Sequence, residues 1–290
     1  GRDHSNRTDL LLSLSDDLPA VAIAVDTAAR IEELLPAVVH RKQRGVLTLE
    51  RARFTDGSES ESGLHEEVKL TIYLGRRDRV AGQPAFVAAC AALRHHGVDG
   101  ATVLLSADGT RNGVRPRPRL FGRPGDVPVL VIAIGPADAM APALAELRTM
   151  LGELLATIER VRVCRHNGAR VGEPTIPAPE PLASHGAGQK LSVYSSEDDR
   201  VDGHPLHRAL VRRLRQERIA GATALRGIWG FHGSGEPHGD HALGARRSTP
   251  VITVAVDSAE RIAAVYPVVE AITAQGGVVT LESVPAILGT

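Results

Sequence analysis

Aromatic residues make up only 3% of this 290-residue chain, with a single tryptophan. That leaves few platforms on which single-stranded bases would stack. Net charge is missing too: 34 Lys+Arg balance 34 Asp+Glu, so no global field draws the chain to nucleic acid or to a membrane surface. Nucleic acid is therefore excluded as a partner class. No apolar run approaches the roughly 20 residues that span a bilayer, and no secretory signal is legible. The two cysteines, Cys90 and Cys164, form no framework pattern, which fits reduced thiols and an expected cytoplasmic location. Catalytic signatures are absent as well. There is no G-x-x-x-x-G-K-[ST] loop, no G-x-G-x-x-G behind a strand, no H-E-x-x-H and no nucleophile elbow. The expectation is a non-enzymatic protein, with no catalytic residue nominated.

What the chain does contain is repetition. Lys69–Gly113 and Gln189–Gly235 carry the same parts in the same order: KLTIY against KLSVY, DRVAGQP against DRVDGHP, DGATVLL against AGATALR. A constant offset across strand, turn and helix marks an internal repeat. The second half of the unit occurs three times. PAVAIAVDTAARI (Pro19–Ile31) matches PVITVAVDSAERI (Pro250–Ile262), and PVLVIAIGPADAM from Pro128 is the looser middle copy. Each copy closes on threonine, an apolar residue and glutamate, at Thr48, Thr157 and Thr280. The chain thus divides into a half module (1–54), an acidic Ser-rich linker (55–67), a full module (68–164), a Pro/Gly-rich spacer (165–188) and a second full module (189–290). Because the first unit lacks its opening strand, helix and strand and begins at Gly1, a third front half is expected upstream.

The pattern predicts an α+β fold of tandem ferredoxin-like βαββαβ modules, each an antiparallel sheet with helices on one face. Val21–Val25, Val129–Ile134 and Val251–Val256 read as strands with almost no polar alternation, so both faces need cover. Ile31, Leu34, Leu35, Val38 and Val39 form one helical stripe, as do Met140, Leu144, Leu147 and Leu151. Further helices are predicted over Pro84–His96 and Pro205–Glu217, and Asp26 and Asp257 read as N-caps. Helices shelter one face of the sheet. Burying four valine-sized side chains on the other is worth on the order of 6–12 kcal/mol, so another module's sheet is the expected cover.

The set KLxxY, DRxxGxP, GATxLRGIxGF and the closing VxTLE resembles the PII-like family catalogued as domain of unknown function 190. The last module fits best, through Asp199, Arg200, Gly203, Pro205, Gly221, Ala222, Thr223, Arg226, Gly227, Gly230 and Phe231. The middle one departs, with Leu105-Ser106-Ala107-Asp108-Gly109 where Arg-Gly is expected. The resemblance implies PII-like pseudo-trimeric packing through sheet faces, ligands in clefts between modules and long loops that touch a regulated partner such as a membrane transporter. It implies no cofactor, with an adenine nucleotide as the candidate ligand.

The loops Ala107–Gly125 and Arg226–Thr249 are longer than ordinary connections, as functional loops are. The first holds Arg111, Arg115, Arg117, Arg119 and Arg123 with Gly109 and Gly113, a set suited to an anionic ligand. In the second, Arg226, Gly227, Trp229, Gly230 and Phe231 either contact a ligand or anchor the loop. Arg79 and Arg200 either build the turn before the first helix or reach an anion. His232, His238, Asp240 and His241 are metal-ligand types, so the alternative reading is a divalent-metal-binding or metal-tolerance protein; a purely structural assembly module is the third.

Overall fold

The computed structural model describes residues 19–42, 45–55, 67–110, 127–176, 186–233, 236–239 and 249–288. They form two compact bodies, one ending at Gly45 and the other beginning at Val46. In chain order the elements are α1 (Ala28–Arg41), β1 (Leu47–Leu49), β2 (Arg53–Phe54), β3 (Glu67–Gly75), β4 (Arg79–Val80), β5 (Gln83–Pro84), α2 (Ala85–His95), β6 (Gly100–Leu105) and β7 (Pro128–Pro136). There follow α3 (Ala137–Leu151), β8 (Leu155–Arg160), β9 (Arg162–His166), β10 (Ala169–Arg170), β11 (Gly186–Ser196), β12 (Arg200–Val201), β13 (His204–Pro205) and α4 (Leu206–Gln216). The last are β14 (Gly221–Arg226), β15 (Trp229–His232), β16 (His238–Gly239), β17 (Pro250–Asp257), α5 (Ala259–Ile272) and β18 (Val278–Leu288).

Each full module is the expected βαββαβ unit. Its four strands lie antiparallel in the order fourth, first, third, second: β8-β3-β7-β6 in the middle module and β18-β11-β17-β14 in the last. Helices α2 and α3 bury Leu93, Met140, Leu144 and Leu147 against Val68, Leu70 and Ile72 of β3. In the last module, Leu210, Leu214, Ile262 and Val269 do the same against Leu191 and Val193. The other faces meet. Leu104, Ile132 and Ile134 of the middle sheet pack with Tyr194, Ile252, Val254 and Val278 of the last. The apolar runs are thus sheltered on both sides, by helices and by a second sheet.

Strands also cross between modules. β9 follows directly on β8 but pairs with β18, and β15 leaves the last module to pair with β6 (Trp229 opposite Val103). Residues 165–188, read from composition as a spacer, therefore supply sheet at both ends, in β9 and in β11. β2 pairs with β8, and β1 with the far end of β18. The three threonine–apolar–glutamate strands are linked in a cycle, each passing into the neighbour that follows it.

The body ending at Gly45 departs from expectation. Helix α1 forms but buries none of its residues, and Val21–Val25 is not a strand, with Val21 53% and Ile23 56% exposed. The physical reason is visible in the full modules. The equivalent strands, β7 and β17, draw both of their hydrogen-bonding neighbours from the front half of the unit. The 290 residues carry that front half only twice, so Val21–Val25 has no ladder to join. The N-caps also sit one residue later than expected, at Thr27 and Ser258; Ser258 Oγ accepts from the Arg261 N–H at 3.3 Å.

Phe231 is fully buried in the middle module's core although it belongs to the last module's loop. Replacing it with alanine is expected to cost about 3–5 kcal/mol, read as a lowered urea midpoint; an unchanged midpoint would mean that β15 does not hold the modules together.

Candidate functional site

At the first strand of each full module a lysine faces the glutamate that closes the fourth. Lys69 stands opposite Glu159 in the β3–β8 ladder, and Lys190 opposite Glu282 in the β11–β18 ladder. On alternating strands these residues share a face with Thr71 and Tyr73, or Ser192 and Tyr194, the side turned away from the module's own helices. Sheet-on-sheet packing brings the two ladders together, and β1 delivers Glu50. Oxygens of Glu50, Glu159 and Glu282 consequently lie within 4.8 Å of one another.

Two ammonium groups hold the three carboxylates. Lys69 Nζ lies 2.9 Å from Glu159 Oε2 and donates to Glu282 Oε2. Lys190 Nζ lies 2.9 Å from Glu282 Oε2 and donates to Glu50 Oε2. Burial works against the charge on Lys69, Glu159, Lys190 and Glu282. It lifts Glu159 above the ordinary carboxylate range, with Lys69 opposing. For Glu282 the desolvation is overcome by Lys190 and Lys69, which pull it from 4.5 down to about 2. Burial also disfavours the charged lysines, but the carboxylates led by Glu282 outweigh it and push both upward. The Glu282 Oε1 is buried without a hydrogen-bond partner among the described residues.

This cluster was not nominated from sequence, although its signal was there. The thrice-repeated glutamate and twice-repeated lysine served as markers of the repeat; only strand register shows that they face each other. The metal reading gains little from it, since two lysines already occupy the carboxylates. The histidines named as metal candidates are committed elsewhere: His232 Nε2 lies 3.1 Å from the Ser195 carbonyl and His238 Nδ1 2.7 Å from that of Glu236. Asp240 and His241 lie outside the described residues.

The ligand candidates separate into two groups. Arg79 donates to the carbonyls of Arg76 and Asp78, and Arg200 to those of Glu197 and Asp199. Both tie down their own turn, while Asp78 and Asp199 accept from the Gly75 and Ser196 amides. The hairpins that follow need two successive positive φ values, found at Ala81-Gly82 and Asp202-Gly203.

Arg226 marks the point where the chain leaves the last module. Its guanidinium meets Glu197 Oε2 at 3.0 Å, and Thr249 Oγ1 donates to the same oxygen at 2.7 Å. Gly227 donates to the Pro250 carbonyl at 2.7 Å, in a space that a Cβ would share with Pro250 and Thr102. At Gly230 a Cβ would sit 2.2 Å from the Ala101 carbonyl, so only glycine lets β15 approach β6. Trp229 and Phe231 lie on this strand and anchor it to the middle module, and buried Phe231 presents no surface to a ligand. Gly109 packs its backbone against Pro128; Arg111 lies outside the described residues. Between the sheets, the recess lined by Thr102, Ile132, Ile134, Tyr194, His232 and Val278 has room for about one water. An adenine nucleotide does not fit there.

Breaking the charge cluster on one side is expected to be costly. Lys69→Met strands Glu159 among carboxylates and is expected to lower unfolding stability by about 3–5 kcal/mol. The pH dependence follows from Glu282. Its folded pKa is depressed, so its contribution is full above 4.5 and is lost as pH falls toward about 2. Acid titration of Glu282→Gln should therefore show a flatter stability profile across that window; an unchanged profile would contradict the assignment.

Residues 1–54, 67–163 and 188–286 match the family model described as Uncharacterized ACR, the domain of unknown function 190. A UPF0166 protein of Aquifex aeolicus (strain VF5) is 29% identical over 97 residues, which cover 33% of this chain and 90% of that relative. Among the described residues no helix is long and apolar enough to cross a membrane. With the greater part of its length matched in three consecutive segments, the chain belongs to the domain of unknown function 190 family.

Proposed function

We propose that the protein is a non-enzymatic, PII-like ligand sensor, in which a small anionic ligand, an adenine nucleotide being the first candidate, binds at the base of the loop that starts at Arg226. The observation that supports this reading is the Arg226–Glu197 contact at the crossing between modules. Arg226 is the last residue of β14, and from Trp229, three residues later, the chain is part of the middle module's sheet. A half-exposed guanidinium there is held by a carboxylate, Glu197, which stands where a ligand anion would compete. Further arginines lie near this contact. Burial and Arg208 hold His207 below the ordinary imidazole range, Glu197 opposing, with Arg200 and Arg226 adding to the effect.

An anion that takes Arg226 from Glu197 releases the turn that carries Glu197 and loosens the Thr249 contact at the other end of the loop. The loop then changes its distribution between states, to the extent that the ligand's affinity differs between them. A regulated partner, a membrane transporter being one candidate, would read the loop state rather than any chemical product.

Isothermal titration with ATP, ADP, AMP and cyclic AMP tests the proposal. Binding by one of them is expected, weakened about 10–100-fold in Arg226→Ala, as the loss of charged hydrogen bonds worth ~1.5–3 kcal/mol requires. Flat traces for all four remove the nucleotide reading, and unchanged affinity in Arg226→Ala moves the site elsewhere.

A further inference from the structure

The charge cluster is a chain of alternating sign with open ends. Its order is Glu159, Lys69, Glu282, Lys190, Glu50, each lysine bridging the glutamate of its own module to that of the next. Both ends are carboxylates, and their oxygens lie within 4.8 Å of each other. Three acids share two ammonium groups, and the Glu282 Oε1 is buried without a hydrogen-bond partner among the described residues. One more ammonium between Glu50 and Glu159 would close the chain into a six-membered ring.

The backbone beside that gap is equally incomplete. β8 and β18, which carry the first and second copies of the closing glutamate after Glu50, each pair on one side with a lysine-bearing strand of their own module. β1, which leads into Glu50, pairs only with β18 among the described residues. Its other edge is that of a strand whose hydrogen-bonding groups seek a partner.

We propose that the edge of β1 and the gap between Glu50 and Glu159 form one docking site for a β-strand of the KLxxY type, a third front half that brings its own lysine. The register is set by the two complete ladders. In β11–β18, Lys190, Leu191, Ser192, Val193 and Tyr194 stand opposite Glu282, Leu281, Thr280, Val279 and Val278. The incoming lysine accordingly stands opposite Glu50, the next apolar residue opposite Leu49, and the tyrosine opposite Val46. Its ammonium bridges to Glu159, as Lys69 bridges to Glu282. Main-chain pairing provides affinity and the buried cation provides selection, the usual division in strand addition. Charge complementarity points to this occupant over an apolar partner, because an uncharged strand would bury the surplus carboxylate without compensation. The inference stands apart from the ligand-sensing reading and shares no residue with it.

The test adds a synthetic peptide with the sequence of Gly188–Ser196 (GQKLSVYSS) to the intact protein, beside a control peptide in which its lysine is alanine. Isothermal titration is expected to show the lysine peptide binding at least tenfold more tightly, with the difference abolished in Glu50→Gln. Glu50 is partly exposed, and retained secondary structure by circular dichroism confirms that the variant folds. Equal binding of the two peptides, or binding of neither, overturns the proposal. So does a melting temperature raised by Mg2+ or Zn2+ alone, which would make the gap a metal site, or a dimer by light scattering that Glu50→Gln dissolves, which would make the occupant a second copy.

Discussion

The face-to-face burial of two sheets governs the rest of this structure. Ile132 and Ile134 on one side and Ile252 and Val278 on the other are shielded from water by each other's modules. Once the sheets are stacked, the strands at their meeting edges must converge, and each carries a glutamate on the inward side. Charge follows from geometry here: three carboxylates drawn together in a poorly hydrated place need cations, and lysines at the facing register positions supply two. A buried ion cluster of this kind adds little net stability compared with apolar packing, but it penalises every arrangement that separates its members. It fixes which edge meets which.

Much of this was legible in the residues. The runs at Val129 and Val251 lack polar alternation because both of their faces are covered, and the repeat offset places equivalent residues at equivalent points of the two sheets. Asp78-Arg79 and Asp199-Arg200 behave alike because each pair closes the same turn. What could not be read was anything that depends on which strand joins which sheet. Phe231 looks like a loop aromatic in sequence and is a core residue of another module, because β15 changes sheets. Val21–Val25 reads as a strand by composition, yet a strand exists only through its neighbours. Glu50, Glu159 and Glu282 are far apart in the chain, and their meeting is a consequence of convergence rather than of any local pattern.

The two full modules have kept one scaffold and altered its rim. Glu197 and Asp198 in the last module correspond to Arg76 and Arg77 in the middle one, and Arg226-Gly227 to Leu105-Ser106. The positions that set turns and cores are retained, whereas those around the loop base have reversed or lost charge. Two seams with the same backbone therefore present different chemistry to solvent. Separate subunits of one sequence do not have that freedom, since every change in one would appear in all.

β9 and β15 cross the joint in opposite directions, so neither module can open without stripping an edge strand from its neighbour. That exchange of strands couples the unfolding of one module to that of the other. A module that opens takes with it an edge on which its neighbour's sheet is built, so a nick in one is felt in the other.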